Sequence, residues 1–329
     1  HRFLNCIGGY TRSKFTYSFA AAEAMVPHIL GSYRAYLDTC TSWDSIEENT
    51  KLFICFGGVP LKNGQIAQGG TGSHKQKEKL IRSANAGIKF VNFSPLKSDL
   101  LDEVNGEWLA LRPNTDVAIM LGLAHTLYKE KLYDDKFIEK YTEGFDTFLP
   151  YLQGDIDGIV KDANWASSIS EIPSEKIISL AKEMSSKRTM ISVSWSLTRQ
   201  DHGEQPFWAA IMLASMVGQI GLPGGGFGFG YSATNHIGGQ FSIIPGAAFP
   251  QTQNKIEDFI PVARISDLLL NPGGSFDFDG KEYKYPDIKL IYWAGGNPFH
   301  HHQDINRLLQ AWQKPETIIS NEWCWNSLA

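Results

Sequence analysis

The stretch "KLFICFGGVPLKNGQ", Lys51 to Gln65, decides the fold class. After Lys51 the run is apolar, and it stops at Gly57 and Gly58. A short apolar run bounded by glycine is typical of a buried β-strand that ends in a tight turn. The stretch therefore predicts a strand of a parallel sheet followed by a loop.

Three further runs share this pattern: "IKFVNF" (88–93), "TMISVSW" (189–195) and "IKLIYWA" (288–294). Between and after them lie stretches with apolar residues at every third or fourth position, which is typical of amphipathic helices. These stretches are "TDVAIMLGLAHTLYKEK" (115–131), "SEKIISLAKEMSSK" (174–187), "PFWAAIMLASMVGQIG" (206–221) and "QDINRLLQAWQK" (303–314). Strands that alternate with helices predict an α/β fold with doubly wound, mainly parallel sheets.

An internal echo predicts the domain organisation. "FGGVPLKNGQ" (56–65) and "AGGNPFHHHQ" (294–303) both follow a strand and contain Gly-Gly, one residue and Pro before a polar stretch. We expect the two echoing strands to lie in one discontinuous α/β unit, residues 1–112 with 284–329. Residues 113–283 are expected to form a second, Rossmann-like α/β unit inserted in the first.

The same echo indicates ligand binding at two loops. Glycine at a strand end allows positive φ and a close approach to the backbone, and backbone N–H groups at a helix N-terminus suit phosphate. Two such loops are consistent with two phosphate-bearing ligands or with the two halves of one. The alternative, equally open from the pattern alone, is that both are ordinary tight turns. Neither loop contains the dinucleotide or P-loop fingerprint.

Composition excludes several classes of protein. The chain has 329 residues, is 43% hydrophobic and carries a net charge of −5, so it can bury a sizeable core and has no basic footprint for nucleic acid. No apolar run reaches the roughly 20 residues of a transmembrane helix. The four cysteines are widely spaced without a C-x-x-C pair and are expected to be core thiols. The chain begins "HRFLNC" without an initiator Met, and we expect it to be a fragment.

Four stretches carry a family resemblance: "IYWAGGNPFHHHQDINRLLQAWQKPETII", "IPVARISDLLLNPGG", "MVGQIGLPGGGFGFGY" and "LRPNTDVAIMLGLAHTL". They resemble the molybdopterin oxidoreductases of the dimethyl sulfoxide reductase family, in the trimethylamine N-oxide, dimethyl sulfoxide and biotin sulfoxide reductase branch. The resemblance covers essentially the whole chain, which corresponds to the central part of the longer family proteins. It implies one molybdenum held by two molybdopterin guanine dinucleotides, in agreement with the two echoing loops.

The resemblance also implies a metal ligand and a set of cofactor contacts. Ser18, in "FTYSFAAAEAMVPHILG", matches the serine whose alkoxide binds molybdenum in this branch; without the resemblance, a helix N-cap is the favoured interpretation. Gly295 to Asn297 and the residues that follow them would contact a pterin dinucleotide, whereas a direct metal role for the triple histidine is disfavoured. The implied cofactor contacts are Gly57, Gly58, Pro60, Gln65, Ser94, Asp116, Trp195, Arg199, Gln200, Gly295, Gly296, Asn297, His300, His301 and Gln303, with Glu204 as a further hydrogen-bonding partner.

At two of these positions the residue differs from that in relatives, and at a third a structural role is an equally good explanation. Asp116 would pair with a guanine edge, although an acid at a helix N-terminus that interacts with the macrodipole explains it equally well from sequence. Ser94 stands where relatives have Asp. Gln65 stands where several relatives have Lys, which favours the biotin sulfoxide-like subgroup.

The implied reaction is oxygen-atom transfer from an S-oxide or N-oxide to the metal, which cycles between Mo(IV) and Mo(VI), in bacterial anaerobic respiration. Biotin or methionine sulfoxide, dimethyl sulfoxide and trimethylamine N-oxide are candidate substrates. Electrons are expected from an external donor, a c-type cytochrome or a cytoplasmic reductant, and the periplasm is favoured over the cytoplasm. The 329 residues alone are expected to be inactive. Two alternatives remain: a nicotinamide-dependent dehydrogenase on a doubly wound fold, and a non-catalytic family-derived binding subunit.

Overall fold

The structure is a computed structural model that describes residues 1–64, 66, 71–242 and 246–329. The α-helices of this part are α1 (Arg2–Cys6), α2 (Ala20–Leu30), α3 (Tyr33–Asp38), α4 (Trp43–Asn49), α5 (Gln76–Asn85), α6 (Asp116–Lys129), α7 (Asp135–Tyr141), α8 (Phe145–Gln153), α9 (Ala163–Ser170), α10 (Ser174–Ser186), α11 (Gln205–Val217), α12 (Ile265–Leu270), α13 (Pro298–His301) and α14 (Ile305–Trp312). The strands are β1 (Arg12–Lys14), β2 (Leu52–Phe56), β3 (Thr71–Gly72), β4 (Lys89–Phe93), β5 (Glu107–Leu109), β6 (Thr189–Val193), β7 (Gly226–Phe229), β8 (Phe241–Ser242), β9 (Phe259–Pro261), β10 (Ser275–Phe278), β11 (Lys281–Lys284), β12 (Leu290–Ala294) and β13 (Thr317–Asn321). None of the described helices combines the length and the apolar character needed to cross a bilayer.

The larger of two compact units comprises residues 21–245 and is built on a five-stranded sheet. All its strand pairs are parallel, in the order β5-β4-β2-β6-β7. Every residue of β2 and β6 is buried, as expected for central strands of a parallel sheet covered on both faces. Helix α11 packs on β6 and β7, and α6 packs against α9, α10 and α11. The predicted doubly wound, parallel α/β architecture is confirmed.

The strand order places a topological switch point in this sheet. From β2 the chain builds outward on one side through β4 and β5, then returns to the other side of β2 to form β6 and β7. The connections that follow β2 and β6 therefore lead to strands on opposite sides of the sheet. In open α/β sheets ligands bind in the crevice formed at such a point.

The smaller unit comprises residues 1–20 and 246–329. Strands β12 and β13 pair in parallel, with α13 and α14 between them in the chain, and β1 pairs in parallel with β9. A hairpin of β10 and β11 is antiparallel. The core consists of Phe259, Ile260, Leu268, Leu269, Phe276, Tyr285, Leu308, Ala311, Trp312 and Leu328.

The observed units differ from the expected boundaries, 1–112 with 284–329 and 113–283. In the structure, the unit that is continuous in sequence is 21–245, and residues 1–20 and 246–329 form the other. The reason is strand pairing: β2 hydrogen-bonds β6 in the five-stranded sheet, which joins residues on both sides of position 113 in one core. The echoing strands β2 and β12 consequently belong to different sheets.

Candidate functional site

The Gly57–Gly58 turn at the end of β2 is packed tightly against the protein itself. Gly57 has φ +81°, and a Cβ there would lie 2.4 Å from Leu197 Cδ1 and 2.7 Å from Ser194 Cβ. Gly58 has φ +75°, and a Cβ there would lie 2.4 Å from the carbonyl oxygen of Asp99. The loops after β2, β4 and β6 thus meet at the carboxyl edge of the sheet. Both glycines are required by this packing, whatever ligand approaches the loop.

The rest of this loop is described in part. Pro60 precedes a 3₁₀ turn, Leu61–Asn63, as its N-cap residue. Gln65, which was predicted to contact the cofactor, lies outside the described residues. Lys62 Nζ lies 3.4 Å from Asp99 Oδ1, so this loop is also linked to the loop after β4 by charge.

Ser94 is fully buried at the end of β4 and its hydroxyl is hydrogen-bonded. Its Oγ donates to Asp99 Oδ2 at 2.7 Å and accepts from the backbone N–H of Leu96 at 3.2 Å. The backbone oxygen of Asp99 accepts from Val59 N–H at 2.7 Å. Asp99 therefore lies beside the Gly58 turn and accepts a hydrogen bond from Ser94. The polar sequence around Asp99 did not predict this role.

The loop after β6 places its predicted contacts in two different environments. Trp195 is 7% exposed and begins the 3₁₀ turn Trp195–Thr198; its Nε1 lies 2.0 Å from where a Cβ on Gly230 would be. The indole is thus packed on the turn that follows β7. Arg199 is exposed at the end of the same turn, and Gln200 is half-buried. Glu204 is half-buried and accepts from Gln205 Nε2 at 3.2 Å.

Asp116 is the first residue of α6 and is 6% exposed. Burial raises the pKa of its carboxyl to about 6, although a backbone N–H hydrogen bond favours the charged form. The helix macrodipole would also favour the charged form, by about 0.3–1 kcal/mol, but the desolvation cost is larger. A buried carboxyl with a raised pKa is typical of a functional position as well as of a structural one.

The second echoing loop differs from the first because it faces open space. Gly295 has φ +83° and Gly296 φ +74°, and a Cβ on either would meet nothing within 4 Å. Asn297 caps α13: its Oδ1 accepts from Phe299 N–H at 3.0 Å and its Nδ2 donates to Ser327 Oγ at 2.8 Å. Within the described residues, this is the Gly-Gly turn that leaves room for a large group to reach the backbone.

The triple histidine divides into two exposed residues and one buried residue. His300, His301 and Gln303 are exposed, and His300 Nε2 lies 3.4 Å from Ser327 Oγ. His302 is 8% exposed, and burial lowers its pKa. A run of identical residues carries no pattern that tells which one points inward, so the burial of His302 could not be predicted from the sequence.

Ser18 lies in the turn before α2 and is exposed. The helix begins at Ala20, so Ser18 precedes the N-cap position by one residue. Its backbone N–H donates to Thr16 Oγ1 at 3.2 Å. The neighbouring Tyr17 hydroxyl lies 2.7 Å from His302 Nδ1, and burial raises the pKa of Tyr17 to about 12. The turn that carries Ser18 is therefore tied to the residue that follows α13.

The sequence profile of the family described as molybdopterin oxidoreductase matches residues 1–329. The chain belongs to this family. Biotin sulfoxide reductase of Cereibacter sphaeroides is 48% identical over 97% of the chain. Two relatives are each 42% identical over 100% of the chain: dimethyl sulfoxide/trimethylamine N-oxide reductase of C. sphaeroides and trimethylamine-N-oxide reductase of Haemophilus influenzae.

This molybdopterin oxidoreductase chain spans between 41% and 43% of the length of those relatives. Among solved structures, acetylene hydratase from Pelobacter acetylenicus matches 67% of the chain and 27% of its own length with a TM-score of 0.51. At 20% identity, that likeness shows the fold alone. The predicted family and the predicted relation to its sulfoxide and N-oxide reductases are confirmed, while the roles of individual residues stay predictions.

Proposed function

We propose that the full-length protein is a molybdenum-dependent reductase of S-oxides or N-oxides. The observation that carries the proposal is a sequence identity of 42–48% to reductases named for these compounds, across 97–100% of the chain. Candidate substrates are biotin or methionine sulfoxide, dimethyl sulfoxide and trimethylamine N-oxide. The first of these is favoured because the relative with 48% identity is a biotin sulfoxide reductase.

For the cofactor we propose molybdenum with two molybdopterin guanine dinucleotides. The open turn at Gly295 and Gly296 fits a large group, because a Cβ added to either positive-φ glycine would meet no atom within 4 Å. The larger unit offers the exposed cation of Arg199 in the loop after β6 and the buried carboxyl of Asp116. A guanidinium suits a phosphate, and a carboxylate offers two acceptors to the N1 and N2 donors of guanine.

When bound, molybdenum supplies the two-electron chemistry that removes an oxygen atom from the substrate. The chain's own residues would hold and orient the cofactor. Ser18, exposed and with a hard oxygen, would bind the metal. Gly57 and Gly58 would act indirectly, by letting the loops after β4 and β6 close on the end of β2.

The electron donor is proposed to be external, a c-type cytochrome or a cytoplasmic reductant. Cys6, Cys40, Cys55 and Cys324 are all free thiols, but only Cys55 is buried, so the expectation of four core thiols is wrong for the exposed Cys6 and Cys324. The described residues contain no group of three or more His, Cys, Asp or Glu placed to hold a metal. We propose the periplasm as the compartment, with the cytoplasm as the alternative, which fractionation of cells that express the full-length protein would decide.

The test is cofactor analysis of the purified full-length protein. We expect about one molybdenum per chain, release of guanine nucleotide on acid hydrolysis, and dye-driven reduction of biotin sulfoxide. Bound nicotinamide without molybdenum would point to a dehydrogenase instead. Neither ligand in a folded protein would point to a non-catalytic binding subunit.

A further inference from the structure

A chain of hydrogen bonds runs inward from the residue next to Ser18. The Tyr17 hydroxyl donates to the Val262 carbonyl oxygen at 2.9 Å. Its oxygen is then free to accept, and His302 Nδ1 lies 2.7 Å away. His302 Nε2 lies 2.9 Å from Ser266 Oγ. Since the Tyr17 hydrogen is committed to Val262, the network assigns the ring hydrogen of His302 to Nδ1 and leaves Nε2 to accept from Ser266.

Two members of this hydrogen-bond network, His302 and Ser266, are shielded from solvent, and the third, Tyr17, is half-buried. His302 is 8% exposed and Ser266 3%, whereas Ser18, His300 and His301 are exposed. The rings of Tyr17 and His302 also meet edge to face, with centroids 6.3 Å apart. Hydrogen bonds shielded from water hold their geometry better than exposed ones, because no solvent competes for the partners.

The network joins two elements that the proposed function requires. His302 follows α13 directly and its N–H donates to the Pro298 carbonyl oxygen at 2.8 Å, so its backbone is fixed to the loop of Gly295, Gly296 and Asn297. Tyr17 is bonded to Ser18. A shift of the loop would therefore move the turn that carries Ser18, and a shift of that turn would move the loop.

On the other side, the Ser18 turn is restrained by backbone pairing. Strand β1 pairs with β9, and Val262, which accepts from Tyr17, follows β9 directly. The Tyr17 hydroxyl adds a side-chain link from this turn to the residue that follows α13.

We propose that Tyr17, His302 and Ser266 are positioning residues that fix Ser18 relative to the Gly295–Asn297 loop. This inference rests on the proposed function, in which Ser18 binds the metal and the loop binds a pterin dinucleotide. The network would hold the loop that binds the cofactor and the turn that supplies the oxygen ligand at a fixed position relative to each other.

The test uses the full-length holoenzyme with Tyr17→Phe, His302→Leu and the double variant, at equal molybdenum content. We expect each single variant to change the Mo(V) EPR spectrum and to lower kcat about tenfold, as loss of one orienting hydrogen bond does. The double variant should be no worse than the worse single variant, because both break the same link. His302→Asn, which keeps a donor near the Nδ1 position, should restore much of the spectrum.

The matched control is Tyr231→Phe, which removes a hydroxyl that donates to the Thr41 carbonyl oxygen at 2.6 Å in the other unit. It should lower Tm without a change in the spectrum. If Tyr17→Phe and His302→Leu behave like this control while Ser18→Ala changes the spectrum, the positioning role is overturned and the proposed function stands. Losses that multiply in the double variant would also overturn it. A wild-type spectrum in Ser18→Ala would instead overturn the proposed function.

Discussion

Burial of Asp116 links stability to pH. The ordinary pKa of the carboxyl is 3.8, and burial raises it to about 6 in the folded protein. Between these values the folded state binds more protons than the unfolded state, so stability falls as pH rises from about 4 to about 6 and stays lower above that. A shift of this size corresponds to roughly 3 kcal/mol.

We therefore expect Asp116→Asn to stabilise the cofactor-free full-length protein at pH 7 relative to wild type, and to have little advantage at pH 4. The measurement is urea unfolding across that pH range. Asp135→Asn, at the exposed first position of α7, is the control for an Asp-to-Asn change at a helix start. A difference between Asp116→Asn and wild type that does not change with pH would show that the pKa of Asp116 is not raised. Lower guanine nucleotide content in the same variant would indicate that this costly carboxyl is kept for binding.

Substitution of Ser18 distinguishes between two roles for this residue, a metal ligand and a helix cap. Loss of a cap costs about 1 kcal/mol and spares turnover. Loss of a metal ligand should cost activity at least as much as loss of an outer-sphere partner does, roughly 10–100-fold. We expect Ser18→Ala to fall in the second class, and Ser18→Cys, which keeps a metal-binding side chain, to alter the metal spectrum.

The assay is dye-driven reduction of methionine sulfoxide and trimethylamine N-oxide at equal molybdenum content. Ser42→Ala is the control, because the Ser42 hydroxyl caps α4 by accepting from Ser45 N–H at 3.2 Å. Near-wild-type rates and spectra in Ser18→Ala would rule out the ligand assignment.

Among the elements, the two echoing strand-and-loop segments look alike in sequence but differ in their surroundings. A Cβ added to the glycines after β2 would meet residues 99 and 194–197, whereas a Cβ added to those after β12 would meet nothing within 4 Å. The sequence could predict that both turns need positive φ. It could not predict what stands in front of them, because those neighbours come from loops up to 140 residues away whose approach depends on strand order.

This difference predicts stability losses of different size for two alanine substitutions in the full-length protein. Both residues have left-handed φ, which costs about 1–2 kcal/mol for alanine. Gly57→Ala adds a clash with Leu197 and Ser194, worth about 1–3 kcal/mol more. Gly295→Ala should show the smaller stability loss and the larger loss of bound molybdenum, measured by unfolding and by metal analysis. Equal stability losses would contradict the packing described here.

For the whole molecule, the sequence was sufficient to predict the fold class but not to predict how the chain divides into two units. Apolar runs and helical periodicity predict parallel sheets because both are local properties of the chain. The pairing of β2 with β6, separated by more than a hundred residues, is not local, and it decides that residues 21–245 form one unit. The partners of Tyr17 are also distant in the chain, so the sequence offered no signal for His302 or Ser266.

The five-stranded parallel sheet and the two-stranded parallel sheet of β12 and β13 should differ in local stability. In β2 and β6 every residue is buried, whereas β12 and β13 alternate exposed and half-buried positions, and Leu290, Tyr292 and Ile319 are 51%, 38% and 42% exposed. A two-stranded sheet is marginal by itself, and parallel sheets are normally covered on both faces. In hydrogen exchange of the 329-residue chain, we expect the amides of β12 and β13 to exchange at least about 100-fold faster than those of β2 and β6.

Repeating the exchange measurement on a protein as long as the relatives separates two causes of this difference. If the open face of β12 and β13 is covered by further chain, protection there should rise towards that of β2, because the exposed apolar side chains then become buried. β2, which is buried already, serves as the internal reference and should change little. Equal protection of β2 and β12 in the 329-residue chain would contradict the prediction, since it would mean that a sheet of two strands with one face in water opens no more easily than a buried sheet of five.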